Sequence, residues 1–202
     1  MRSFLVLAVL GMLFMSQAVA SANVLSDPGF EGTGAGPWGG SESTSGVTRN
    51  FDSTSVVHGG LQSFSINLNN VGGYIAGTAE QNVNVSAGQA WDSSVYARVT
   101  DTIENGDAFL ETWFFDSSWN KLSTEFKSTD ITDAGNWTLL TTSGIVPTGA
   151  VIAQVRLVGQ EWGAGSGTVN FDDAVATIPE PTSMILLGSG LAGLLGFSRK
   201  KK

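Results

Sequence analysis

In TVNFDDAVA (168–176), Val169, Phe171, Asp173 and Val175 fall on one side of an extended chain, which aims the Asp173 carboxylate at the core. A buried carboxylate without a partner is costly, so Asp173 must take up a proton, meet a cation, or accept hydrogen bonds at a strand end. A second kind of chemistry belongs to two indoles in turns, Trp119 in DSSWNKL and Trp162 in QEWGAGSG. Indoles are costly to expose, so each either folds back onto the protein or serves as a contact surface. Sugar rings present apolar C–H faces that suit indoles, and their hydroxyls need amides and carboxylates nearby. Asp116 and Asn120 flank Trp119, and Gln160 and Glu161 precede Trp162, so these two tryptophans are the candidate ligand contacts.

Other chemistries find less support. His58 is the only histidine and there is no cysteine, so neither a zinc triad nor a Ser-His-Asp arrangement can be assembled by familiar spacing. Glu104, Asp107, Glu111 and Asp116 lie close in sequence, and glycoside hydrolysis needs two acids about 5–10 Å apart. A solvated acidic edge explains those four more simply.

The elements that must position these groups read as strands. Between residues 23 and 178 helical periodicity is hard to find, while short alternating or apolar runs recur between Gly, Asn, Asp and Ser. Eight runs qualify: 62–68, 74–85, 89–99, 107–116, 120–128, 136–146, 150–159 and 167–178. Eight strands suit an all-β, two-sheet jelly-roll sandwich. Alternation places Val95, Ala97 and Val99 inside, and Val151, Ala153, Val155 and Leu157 likewise, with Arg98, Gln154 and Arg156 facing water. AFLETWFF (108–115) is apolar on both faces, which predicts a central strand with its outer face covered by a loop or a ligand. Trp91, Trp113 and Trp137 fall within these runs and are expected in the core, and Trp38 near the entry to the sandwich is expected to pack.

Several stretches together resemble the carbohydrate-binding-module type of galactose-binding-like jelly roll: NVLSDPGFEG leading to Trp38, HGGLQSFSI (58–66), QNVNVSAGQAWDSSVYARV (81–99), NWTLLTTSGIVPTGAVIAQVRLV (136–158) and GTVNFDDAVA (167–176). The resemblance implies sugar binding, and also a structural calcium ion beside the first and last strands. Carried over by position, Glu31 and Asp173 would be its side-chain ligands, with Asp172 the substitute if the register is off by one. Carbonyls near 58–61 would help complete the six to eight oxygens that calcium takes.

Five cations face 17 carboxylates between residues 23 and 178, a net charge of −12. Nucleic acid and anionic lipid would be repelled, or the charge simply keeps an exported protein soluble.

The two ends carry addresses. MRSFLVLAVLGMLFMSQAVASA has one Arg, an apolar stretch and small residues at 18–22, the pattern of a secretory signal peptide over 1–22 that signal peptidase would remove. At 179–202, Pro179-Glu180-Pro181 precedes a glycine-spotted apolar run from Met184 to Phe197 and a terminal Arg199-Lys-Lys-Lys. This order resembles the PEP-CTERM sorting signal of Gram-negative bacteria. The resemblance implies that an exosortase recognises the tripeptide and removes the helix, after transient anchoring in the inner membrane. The chain is thus expected to be an exported surface or matrix protein whose non-catalytic domain binds extracellular polysaccharide. The alternatives are a structural protein with a protein partner and, with less support, a glycoside hydrolase.

Overall fold

The computed structural model describes residues 21–43 and 45–179, and within it Ala22–Ile178 forms one compact unit. Residues 1–20 of the signal segment 1–22, Glu180, Pro181 and the C-terminal apolar run lie outside the described residues. Among those residues every regular element is a strand: β1 (Val47–Ser53), β2 (Ser63–Asn70), β3 (Ile75–Asn84), β4 (Ala90–Asp101), β5 (Gly106–Phe115), β6 (Lys121–Lys127), β7 (Thr138–Ile145), β8 (Ile152–Glu161) and β9 (Gly165–Thr177).

They form two antiparallel sheets, ordered β1-β2-β9-β4-β7 and β3-β8-β5-β6, which is the jelly-roll sandwich expected from the spacing of the strands. The strand count is nine rather than eight. The additional strand, VTRNFDS, alternates correctly, but Thr, Arg, Asn and Asp dilute its apolar signal. It is held as an edge by pairing with β2.

Phe64, Ile66, Trp91, Val95, Ala97, Leu110, Phe114, Ala153, Val155, Leu157, Val169 and Phe171 fill the space between the sheets. Trp38 is buried there too, against Phe30 at 5.0 Å between ring centroids, and its Nε1 donates to the Asp27 carbonyl. Val151, expected inside, lies just outside β8 and is exposed. Trp137 precedes β7 and is half-buried, edge-on to His58. His58 in turn stacks on Tyr96 at 3.7 Å.

The parity expected for TVNFDDAVA holds only to Phe171. Ser94 pairs with Val175 and Tyr96 with Asp172, so three steps along β9 oppose two along β4. This bulge, with Asp173 at φ 50°, inserts one residue and inverts the alternation. Ala174 and Ala176 therefore turn inward, Asp172 stays on the side of Tyr96 although fully buried, and Asp173 takes a half-exposed position.

Candidate functional site

The four-stranded sheet carries the most developed surface feature. On β5 the even-numbered residues Ala108, Leu110, Thr112 and Phe114 enter the core, leaving Asp107, Phe109, Glu111, Trp113 and Phe115 on the outer face. Register with β3 and β8 then sets rows across that face: Ala76–Gln160–Asp107, Thr78–Val158–Phe109, and Glu80–Arg156–Glu111. Gly39 and Glu42 bridge to Glu80 and Gly77 and run alongside β3 as a wall. Between wall and sheet lies a cleft of about 430 Å³, lined by residues that include Ser41, Tyr74, Glu111, Trp113, Arg156 and Gln160. This falls in the range of roughly 300–1,000 Å³ usual for small-molecule sites.

Two polar systems organise the cleft. Tyr74 Oη donates to Gln160 Oε1 at 2.9 Å, and Gln160 Nε2 donates to Asp107 Oδ1 at 2.9 Å. The amide is thereby oriented and the Tyr74 ring, 58% exposed, is held upright at one end. In the second system Arg156 Nε donates to Glu80 Oε1 at 3.0 Å, while its Nη1 bonds to Glu111. The Arg156 guanidinium also lies 3.5 Å from the Trp113 ring centroid, and Lys121 Nζ lies 3.6 Å from it. Two cations at that height cannot share one face of a ring without overlapping, so Arg156 supports the indole from one side and Lys121 covers the other. The coverage expected for the outer face of AFLETWFF is thus supplied by side chains of neighbouring strands. Arg156 does not face water as the alternation implied; it is the centre of this assembly.

The sequence-derived indoles occupy opposite ends of the same sheet. Trp119, 58% exposed and at φ 63°, belongs to the β5–β6 turn beyond Phe115. Its neighbour Asp116 is committed to that turn, Oδ1 accepting from the Ser118 and Asn120 amides. Trp162, 54% exposed, follows β8 at the other end. Ile75 pairs with Glu161, so the next positions in register are Tyr74 and Trp162, which extend the outer face together. Tyr74 and Arg156, the residues missed as site candidates, carry a signal visible only once β3, β5 and β8 are aligned.

The carboxylates proposed as a hydrolytic pair are arranged otherwise. Asp107 and Glu111 are four residues apart on one strand, which puts their backbone positions about 13 Å apart. Glu104 lies before β5 and Asp116 in the turn after it.

Around the bulge, Asp172 is fully buried: Oδ2 accepts from the His58 and Gly59 amides (2.8 and 3.1 Å) and Oδ1 from the Asp173 amide (2.7 Å). These three hydrogen bonds pair both of its oxygens. Asp173 Oδ2 is 2.7 Å from His58 Nδ1, and Glu31 Oε1 accepts from the Leu61 and Gln62 amides. A β-carbon on Gly29 would lie 3.7 Å from Asp173 Oδ1, 3.7 Å from Glu31 Cγ and 3.9 Å from Asp172 Oδ1, so the three acids do converge. Among the described residues, however, no three acidic or histidine side chains are arranged to hold a metal ion. Asp173 Oδ1 and Glu31 Oε2 make no protein hydrogen bond.

Burial raises the carboxyls of Asp107, Glu111, Glu161 and Asp172 above the ordinary 3.8 for Asp and 4.5 for Glu. A raised value means that the folded protein holds protons the unfolded chain would release, so stability falls as pH rises through and above the ordinary values. Asp116, lowered by its hydrogen bonds to Asn120, acts only below 3.8. The melting temperature in chelator should therefore be higher at pH 5 than at pH 7; an equal or lower value at pH 5 contradicts this account.

Comparison with known proteins places these features. Residues 177–200 match the PEP-CTERM protein-sorting motif. Comparison with curated proteins found no match. Among solved structures, the enzymatically active domain of bacteriophage CBA120 tailspike protein 4 superposes with TM-score 0.59 at 16% identity, over 77% of this chain and 21% of that one, so this chain spans about a fifth of its length. The C-terminal family 22 carbohydrate-binding module of Clostridium thermocellum Xyn10B gives 0.55 at 18%, over 80% and 96%. TmCBM61, solved with β-1,4-galactotriose, gives 0.52 at 17%, over 78% and 99%. The motif marks an exported protein with a C-terminal membrane-anchoring signal and implies exosortase processing. The chain joins a PEP-CTERM sorting motif to a jelly-roll β-sandwich with the fold of carbohydrate-binding modules.

Proposed function

We propose that the domain binds extracellular polysaccharide without hydrolysing it, in the cleft on the outer face of β3-β8-β5-β6, after delivery to the cell surface or matrix. The observation that carries this reading is the exposed Tyr74 ring, held by an oriented amide that also bonds Asp107, in a cleft of about 430 Å³ that Arg156 helps to line. An exposed aromatic face beside fixed polar groups is what a sugar ring with its hydroxyls requires. Trp162 extends this platform, and Trp119 offers a separate contact at the far end.

Charge narrows the ligand. Glu42, Glu80, Asp107 and Glu111 surround the cleft, Arg156 is consumed by two of them, and Arg49 by Glu42. Neutral glycans suit this surface and uronate- or sulfate-rich ones are repelled. A panel of neutral and acidic polysaccharides tested by affinity electrophoresis should show retardation by neutral members. No retardation by any member would favour a structural protein with a protein partner, and release of reducing ends would establish a hydrolase instead.

Calcium has a separate, structural place in this reading. Glu31 and Asp173 would hold the ion with main-chain carbonyls and solvent oxygens, tying the segment before β1 to β9 in a protein without disulfides. Adding millimolar calcium to chelator-treated protein should raise the melting temperature by several degrees, and Glu31→Gln should reduce that gain. No change on adding calcium excludes the ion.

A further inference from the structure

The end of β8 holds a group that neither the cleft nor the fold explains. Glu161 has no exposed surface, and neither of its carboxylate oxygens has a hydrogen-bond partner in the protein. The Glu104 and Asn105 amides lie near enough to favour its charged form without reaching normal hydrogen-bond geometry. Beside it lies a second acid, Glu104, in the turn between β4 and β5. A β-carbon on Gly165 would lie 3.2 Å from Glu161 Oε1 and 3.0 Å from Glu104 Oε2, so the two carboxylates converge on the space that this glycine leaves open.

A buried, unpartnered carboxylate with a second carboxylate beside it needs a proton or a cation. A shared proton would show as a short hydrogen bond between the two acids, and they make none. Glu104 instead accepts from the Ser166 amide with Oε2 at 3.3 Å. A protonated Glu161 would also carry an O–H donor with no acceptor. A cation uses bare carboxylate oxygens as they stand, and oxygen donors without nitrogen or sulfur favour a hard ion.

We propose that Glu161 and Glu104 form a binding site for a hard divalent cation of the calcium class, which ties the β8–β9 hairpin to the turn between β4 and β5. The same two segments are already joined by Trp162 N–H to the Asn105 carbonyl (2.9 Å) and by Asn105 Nδ2 to the Ala164 carbonyl (2.6 Å). Trp162 directly follows Glu161, so the ion sets the position of that indole at the Tyr74 end of the outer face. The site is separate from Glu31 and Asp173, which lie by the bulge of β9.

Terbium, a luminescent substitute for calcium excited through nearby indoles, reads the site directly. The full-length chain in a neutral detergent should show tryptophan-sensitised terbium emission that calcium displaces. Glu104→Gln, at an exposed position, should weaken one class of bound ion at least tenfold while leaving the far-ultraviolet circular dichroism unchanged. Glu161→Gln should do the same, and Glu31→Gln should leave this class intact. Gly165→Ala, which puts a methyl group against both carboxylates, should also weaken it. If Glu161→Gln does not fold, the Glu104 and Gly165 variants decide. Equal terbium affinity in wild type and Glu104→Gln, or an absence of calcium-displaceable emission, overturns the proposal whatever the outcome of the glycan tests.

Discussion

Replacing Arg156 by methionine is expected to lower the unfolding free energy by about 3–5 kcal/mol, the range for removing one partner from a buried ion network. The side chain is only 11% exposed and lies between Glu80 at 19% and Glu111 at 8%. Without it, two carboxylates remain in one row of the sheet, on either side of β8, without the guanidinium they share. Burial already pushes the Glu111 carboxyl up, and Arg156 is the main influence drawing it back. Arg156→Lys should recover only part of the loss, because an ammonium cannot reach both acids and also lie flat on Trp113. A triple variant with Glu80→Leu and Glu111→Leu added should recover most of it, since an apolar replacement removes the charges as well as the pair. Urea denaturation checks all three. A loss below about 1 kcal/mol for Arg156→Met would mean that the network behaves as an exposed ion pair.

The largest effect on ligand binding is expected from Tyr74→Ala, at least a tenfold loss of affinity for whichever neutral glycan the domain retains, with little change in melting temperature. Central aromatic contacts commonly contribute more than about 1 kcal/mol each, and this ring contributes little to the core because most of it is exposed. Tyr74→Phe separates the ring from the hydroxyl: it keeps the stacking face but frees Gln160, so an intermediate loss is expected. Trp162→Ala should weaken binding less. Lys121→Ala should strengthen it severalfold if sugar also uses Trp113, because the ammonium covers the indole face that Arg156 leaves open. Titration calorimetry with the retained glycan measures each step, and unchanged affinity in Tyr74→Ala would remove the cleft from consideration.

The sandwich was legible because alternating or continuous apolar runs mark eight of the nine strands. Strand β1 escaped because its outward residues and its Arg49 mask the inward Val47 and Phe51. The inversion after Asp172 was not readable locally: a bulge is a property of two strands in register, and the one-residue uncertainty between Asp172 and Asp173 is its size. The same limit hid the cleft. Tyr74, Arg156 and Glu111 are 37 to 82 residues apart and meet only because β8 lies between β3 and β5. Turn tryptophans stand out in a sequence because their cost is local, whereas Arg156 looked like any outward-facing cation on an alternating strand.

The last strand in sequence is a central strand in space, since β9 lies between β2 and β4. Neither partner can finish pairing before residue 177 has been synthesised, and the contacts with β2 span about a hundred residues. Topology of this kind closes slowly. An exported chain gains from that delay, because a sheet lacking its middle member stays threadable during translocation and locks only when the segment just ahead of the sorting motif arrives.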